Sequence, residues 1–108
     1  MRVRYTDTAL SEVDGILSHI ARENRAAAGD VSEAIAATVK RIVDQPDDSP
    51  IVYDGAVRAK TVERFQYRVY YVTTEHEIII RNVRSTRRMR PWERGRWRAR
   101  EPSRASTL

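Results

Sequence analysis

The chemistry this chain can offer is concentrated in a run of arginines and tyrosines between residues 58 and 92. Arg58, Lys60 and Arg68, followed by Arg84, Arg87, Arg88 and Arg90, could neutralise several phosphates. Tyr70 or Tyr71, and Trp92, could stack on bases exposed from a single strand, which is worth about 1–3 kcal/mol per base. The same guanidiniums could stabilise charge building up on a phosphate attacked by a ribose 2′-hydroxyl. Arg68 stands out because it sits between aromatics in a strand-like stretch. An unpaired charge is very costly to bury, so this arginine must leave the core or meet an anion. Tyr67 and Tyr71 read as core residues, and Arg81 as a solvated charge at a sheet edge.

Other chemistries lack their residues. The chain has no cysteine, so disulfides and thiolate metal sites are excluded, as suits a reducing cytosol. His19 and His76 lie far apart with no ligand cluster near either, and each reads as a surface or packing residue. The 4 glycines form no phosphate-cradling loop. Ser85 has no sequence context for a nucleophile. Neither a metal nor a cofactor is expected.

Two strands must carry Arg68 and its neighbours. Residues 66 to 73 are rich in Tyr, Val and Thr, which suit a pleated, half-buried surface. Thr74-Glu75-His76 form a polar turn, and Ile78, Ile79 and Ile80 begin a second strand buried on nearly both faces. Alternation puts Tyr67, Val69 and Tyr71 on one face and Arg68, Tyr70 and Val72 on the other. Upstream, Arg2 to Thr6 alternates like a short strand. Thr6-Asp7-Thr8 supplies capping side chains for an amphipathic helix through Val13, Ile16, Leu17 and Ile20, to about Asn24. Gly29 marks a break, and Asp30 with Glu33 resembles the capping box of a second helix, which Pro46 ends. Residues 51 to 55 are ambiguous, and residues 57 to 62 alternate like a strand. The order β-α-α-β-β-β gives an α+β domain, a helical hairpin packed on one face of an antiparallel sheet. On this reading the helix-free face carries Arg58, Lys60, Arg68 and Tyr70.

At 108 residues the chain is long enough for one domain with a single modest core. Residues 1–93 read as that domain and residues 94–108 as a basic, flexible tail. The net charge of +5 is unevenly spread: residues 1 to 80 carry 10 basic and 13 acidic groups, and residues 81 to 108 carry 10 Arg and 2 Glu. That asymmetry suits a polyanion or an acidic protein as partner. No run approaches the ~20 apolar residues of a membrane span, and no signal peptide is visible, so a cytoplasmic location is expected.

The segment Glu63-Arg64-Phe65-Gln66-Tyr67-Arg68-Val69-Tyr70-Tyr71 resembles the central strand of the RelE/ParE superfamily of bacterial toxin–antitoxin modules. Val83-Arg84-Ser85-Thr86-Arg87-Arg88 resembles that family's closing strand, and the start at Tyr5 to Leu10 and the Asp44-Gln45-Pro46 helix end also fit. The resemblance covers residues 1 to about 93 and implies the α+β fold reached from patterning. It implies two activities: metal-independent cleavage of mRNA on the ribosome, as in RelE-like members, or block of DNA gyrase, as in ParE-like members. A nucleic-acid-binding relative without toxicity is a third reading. By position, Arg68 matches the arginine that holds the scissile phosphate, and Arg87 or Arg88 the last-strand arginine. Ser85 falls where many relatives carry histidine, and Gln66 where proline is usual. A serine hydroxyl titrates too far from neutrality to shuttle protons well. Proton transfer would then fall to Glu63 or Tyr70. The resemblance also implies a cognate antitoxin whose acidic segment covers the arginine face.

Overall fold

A computed structural model of the chain describes residues 1–87 and 106–107. The elements run β1 (Arg2–Tyr5), α1 (Asp7–Ala21), α2 (Arg25–Asp44), β2 (Ile51–Tyr53), β3 (Val57–Thr61), β4 (Tyr67–Thr73), β5 (Glu77–Ser85) and β6 (Ser106–Thr107). They form one sheet in the order β2-β3-β4-β5-β1-β6. The expected β-α-α-β-β-β frame is present. The sheet is mostly but not wholly antiparallel, because β1 pairs with β5 in parallel. That pairing follows from the helical hairpin: parallel neighbours need a long crossover, and α1 and α2 lie within it.

Thr6 starts α1 as expected, its hydroxyl accepting from the Ala9 N–H at 3.0 Å. The second helix begins earlier than the Asp30-Glu33 pattern predicts. Asn24 caps it, its side-chain oxygen accepting from Ala27 N at 3.0 Å, and the helix runs straight through Gly29. Three alanines after Arg25 favour the helix enough to carry one glycine, a residue that costs about 1 kcal/mol there.

The main core lies between the helices and the sheet. Val31, Ile35, Val39 and Ile42 of α2 meet Val62, Val69, Tyr71, Ile78, Ile80 and Val83 from the strands. Tyr71 is fully buried, as the alternation of β4 predicts, and Tyr67 packs against the same cluster. At the end of α2 the Tyr71 hydroxyl donates to the Pro46 carbonyl at 2.9 Å.

Residues 51 to 55, ambiguous in the sequence, form an edge hairpin. Asp54 and Gly55 turn with φ of 52° and 65°, the left-handed pair that matches strand twist in a two-residue turn. Ser106–Thr107 add a two-residue strand along β1, where the sequence pattern predicts none. The rest of the tail expectation, residues 94–105, lies outside the described residues, as do Arg88, Arg90 and Trp92.

Candidate functional site

Strand register decides which basic residues share a face. Thr61 and Arg84 stand opposite Arg68 on its two sides, and Ala59 and Asn82 stand opposite Tyr70. Arg58 pairs with Tyr71 and Lys60 with Val69, both of which face the helices. Arg58 and Lys60 therefore do share a face, but it is the helix side and not the helix-free face expected for them. Val57 and Ala59 take the other side and form a second buried cluster with Tyr70, packed by Tyr53 and Val72. Alternation within β3 was legible; its phase against β4 was not.

Arg58 has a structural task. Its guanidinium donates to the Ser49 carbonyl at 2.6 Å and to the Asp47 carbonyl at 3.1 Å, tying down the loop after α2. Beside it, burial pushes the Tyr71 hydroxyl pKa up, and the Arg58 charge opposes that rise.

Arg68 is half-buried and, among the described residues, forms no hydrogen bond or ion pair. It lines a groove of about 510 Å³ with Tyr70, Thr61, Pro50 and Val52, and Lys60 and Asp48 add one charge of each sign to the wall. Tyr70 is only 4% exposed, so its ring is a buried wall and not an open stacking platform. The helix-free face is thus apolar at its centre, with a cation at its end.

The remaining candidates are dispersed. Glu63 meets Arg41 of α2 at 3.4 Å and lines a different depression, beside Asp30 and Glu33. Ser85 pairs with Tyr67, on the helix side, and its hydroxyl accepts from the Arg87 N–H at 3.2 Å. Arg87 is exposed in the turn that follows. Arg81, expected to be solvated, is 4% exposed at an irregularity in β5, and its carbonyl accepts from the Thr6 hydroxyl at 3.0 Å.

Two α1 residues sit near the end of β5: His19, which the sequence reads as a surface or packing residue and which is exposed, and Glu12, which sequence reasoning missed. His19 of α1 lines a groove of about 440 Å³ together with Ser85, Tyr67 and Arg84. Glu12, on the same helix, reaches the open edge of β5 beyond β1. Its Oε1 accepts from the Val83 N–H at 3.1 Å and from the Asn82 side-chain amide at 3.0 Å, and its Oε2 lies 3.7 Å from Arg84 Nε. Nothing in the sequence distinguishes Glu12 from other acidic residues on α1, because its partners lie about 70 residues away.

Among the described residues no group of His, Asp and Glu could hold a metal ion, and no helix is long and apolar enough to cross a membrane. Comparison with known proteins finds one family over most of the chain: ParE toxin of type II toxin–antitoxin system, parDE, matches residues 3–90. A solved structure, the chromosomal ParDE TA system from P. aeruginosa, superposes with a TM-score of 0.69 at 22% identity, covering 79% of this chain and 95% of that one. At that identity the likeness shows a shared fold. No curated protein matches.

Proposed function

This chain belongs to the ParE toxin family of type II toxin–antitoxin systems, and we propose that it disables its target by binding, with DNA gyrase as that target. The observation that carries this reading is the scatter of the proton-transfer candidates. A metal-independent ribonuclease needs an acid and a base within hydrogen-bond reach of one phosphate. Here Arg68 is on the helix-free side, Ser85 on the helix side and Glu63 against α2, while Tyr70 is buried. What remains around Arg68 is a groove whose lining holds two cations, Arg68 and Lys60, against one carboxylate, Asp48, a balance that suits an acidic surface. The partner that restrains the toxin is a cognate antitoxin whose acidic segment covers this groove and pairs with Arg68.

The mRNA interferase reading keeps one observation in its favour: Arg68, with Arg84 opposite it, forms no ion pair among the described residues, which leaves its guanidinium open to a phosphate. One pair of assays separates the two readings. Purified protein should inhibit gyrase supercoiling at micromolar concentration, and Arg68→Ala should weaken that inhibition about tenfold or more, the loss of one charged contact. The same protein should leave mRNA on translating ribosomes uncut. Cleavage that depends on Arg68 would reverse the assignment. Normal growth on induced, soluble expression would favour the non-toxic relative instead.

A further inference from the structure

The β4–β5 ladder sets Arg84 directly across from Arg68 on the helix-free side, yet the two arginines are in different electrostatic situations. The Arg84 side chain is 16% exposed, and its Nε lies 3.7 Å from the Glu12 carboxylate, at the open edge of β5. That Nε is buried and makes no hydrogen bond, so the attraction is one of charge rather than of a well-formed donor–acceptor pair. Glu12 itself is held in place by the Val83 N–H and the Asn82 amide. Like charges directly opposite each other repel. Drawing one of them to the strand edge relieves that repulsion and leaves one guanidinium of the two at the groove, beside Lys60 and Asp48.

We infer that Glu12 is a positioning residue for the Arg68 groove: it withdraws Arg84, so that a single unpaired guanidinium is presented to the partner. The inference rests on the reading of the groove as a recognition surface for an acidic or polyanionic partner. It adds a cause for the number of cations on offer. Glu12 touches neither the groove nor its occupant; it acts through Arg84. The glutamate is suited to this because Oε1 accepts from the backbone while Oε2 lies against the arginine.

The test uses the full chain and the variant Glu12→Gln, which keeps an oxygen for Val83 and Asn82 and removes the charge. Arginine modification by phenylglyoxal, mapped by peptide mass, reads each guanidinium separately. In the wild-type chain Arg68 and Arg87 should react readily and Arg84 clearly more slowly, because its side chain is 16% exposed and lies against the Glu12 carboxylate. Equal rates for Arg68 and Arg84 in the wild-type chain would already overturn the inference, whether or not the variant folds. In Glu12→Gln the Arg84 rate should rise to that of Arg68, and an Arg84 still protected in folded variant would overturn it.

Binding to poly(U) supplies a readout that a purely structural role does not move. One additional phosphate contact steepens the dependence of log K on log salt by about 0.7 for a single strand. The variant should show that steepening, and Glu12→Asp should restore the wild-type slope. An unchanged slope in a variant whose Arg84 has become reactive would refute the claim that the freed arginine joins the groove. Because neither readout involves gyrase, failure of the supercoiling assay and failure of this inference are separate results.

Discussion

The Tyr71 hydroxyl donates to the Pro46 carbonyl across 2.9 Å, linking the middle of β4 to the loop that ends α2. A fully buried ring with one polar tip thus fixes where the second helix stops relative to the sheet. Removing the tip and keeping the ring isolates that bond. Tyr71→Phe should cost about 1 kcal/mol, the usual net worth of such a bond. For a domain of this size that corresponds to roughly 4–8 °C in Tm, measured by calorimetry. An unchanged Tm would show that water satisfies the Pro46 carbonyl equally well.

Alkaline pH should unfold the protein through its tyrosines. Burial raises the pKa of both Tyr5 and Tyr71 above the ordinary tyrosine value. Folded protein therefore holds these protons more tightly than unfolded chain. Their contribution is fully present below the unfolded pKa of about 10 and is lost as pH rises through the higher folded values. Denaturant titrations between neutral pH and strongly alkaline pH should show stability falling above about 10. The double variant Tyr5→Phe/Tyr71→Phe should flatten that fall. An equally steep decline in the double variant would assign it to other groups.

Arg58 and Arg68 should separate cleanly into a structural and a functional arginine. Arg58→Ala removes two charge-assisted bonds to loop carbonyls and should destabilise by about 1.5–3 kcal/mol in urea unfolding. Arg68→Ala breaks no hydrogen bond or ion pair among the described residues and should stay within about 0.5 kcal/mol of wild type. Its effect should appear in supercoiling inhibition instead. The opposite pattern would mean that the register places the wrong arginine at the groove.

Truncating Glu12 to alanine should be more damaging than neutralising it. Alanine leaves the Val83 N–H and the Asn82 amide, both at a part-buried site, without their acceptor. An unsatisfied buried donor costs about 1–3 kcal/mol. Glu12→Ala should therefore lower the urea midpoint clearly more than Glu12→Gln does, and equal midpoints would show that the carboxylate is not the strand-edge acceptor.

Gly29 offers a stabilising change. It lies inside α2, and a methyl group there would meet nothing within 4 Å. Gly29→Ala should gain about 1 kcal/mol, the propensity difference between the two residues in a helix. A thermal scan showing no gain would mean that the unfolded chain is already restrained at this point.

The sequence was most legible where a period and a burial requirement agreed. Tyr67, Val69 and Tyr71 alternate with Arg68, Tyr70 and Val72, and the structure keeps both sets on the faces that pattern assigns. Reading failed where the answer depended on a partner remote in the chain. The side of the sheet taken by Arg58 depends on the phase of β3 against β4, and Val57 and Ala59 could have satisfied either core. Asp30 and Glu33 imitate a helix start, but Asn24 already holds the first turn and no local signal ranks the two. Of the candidate site, Arg68 was legible because an unpaired cation between aromatics is costly anywhere but at a surface. Glu12 and His19 were not, since a helix pattern shows which face is polar but not what that face meets.

The placement of β1 beside β5 governs when the toxin can come into being. β1 finds its neighbour only after residues 77 to 80 have been made, so both helices and β2 to β4 must be synthesised before β1 can join the sheet. Long separations of this kind slow folding, because chain must be looped before contacts reward it. A nascent fragment lacking β5 has neither the Arg68–Arg84 ladder nor the strand edge that Glu12 caps. Premature termination would therefore leave β1 without its partner strand and the sheet unclosed.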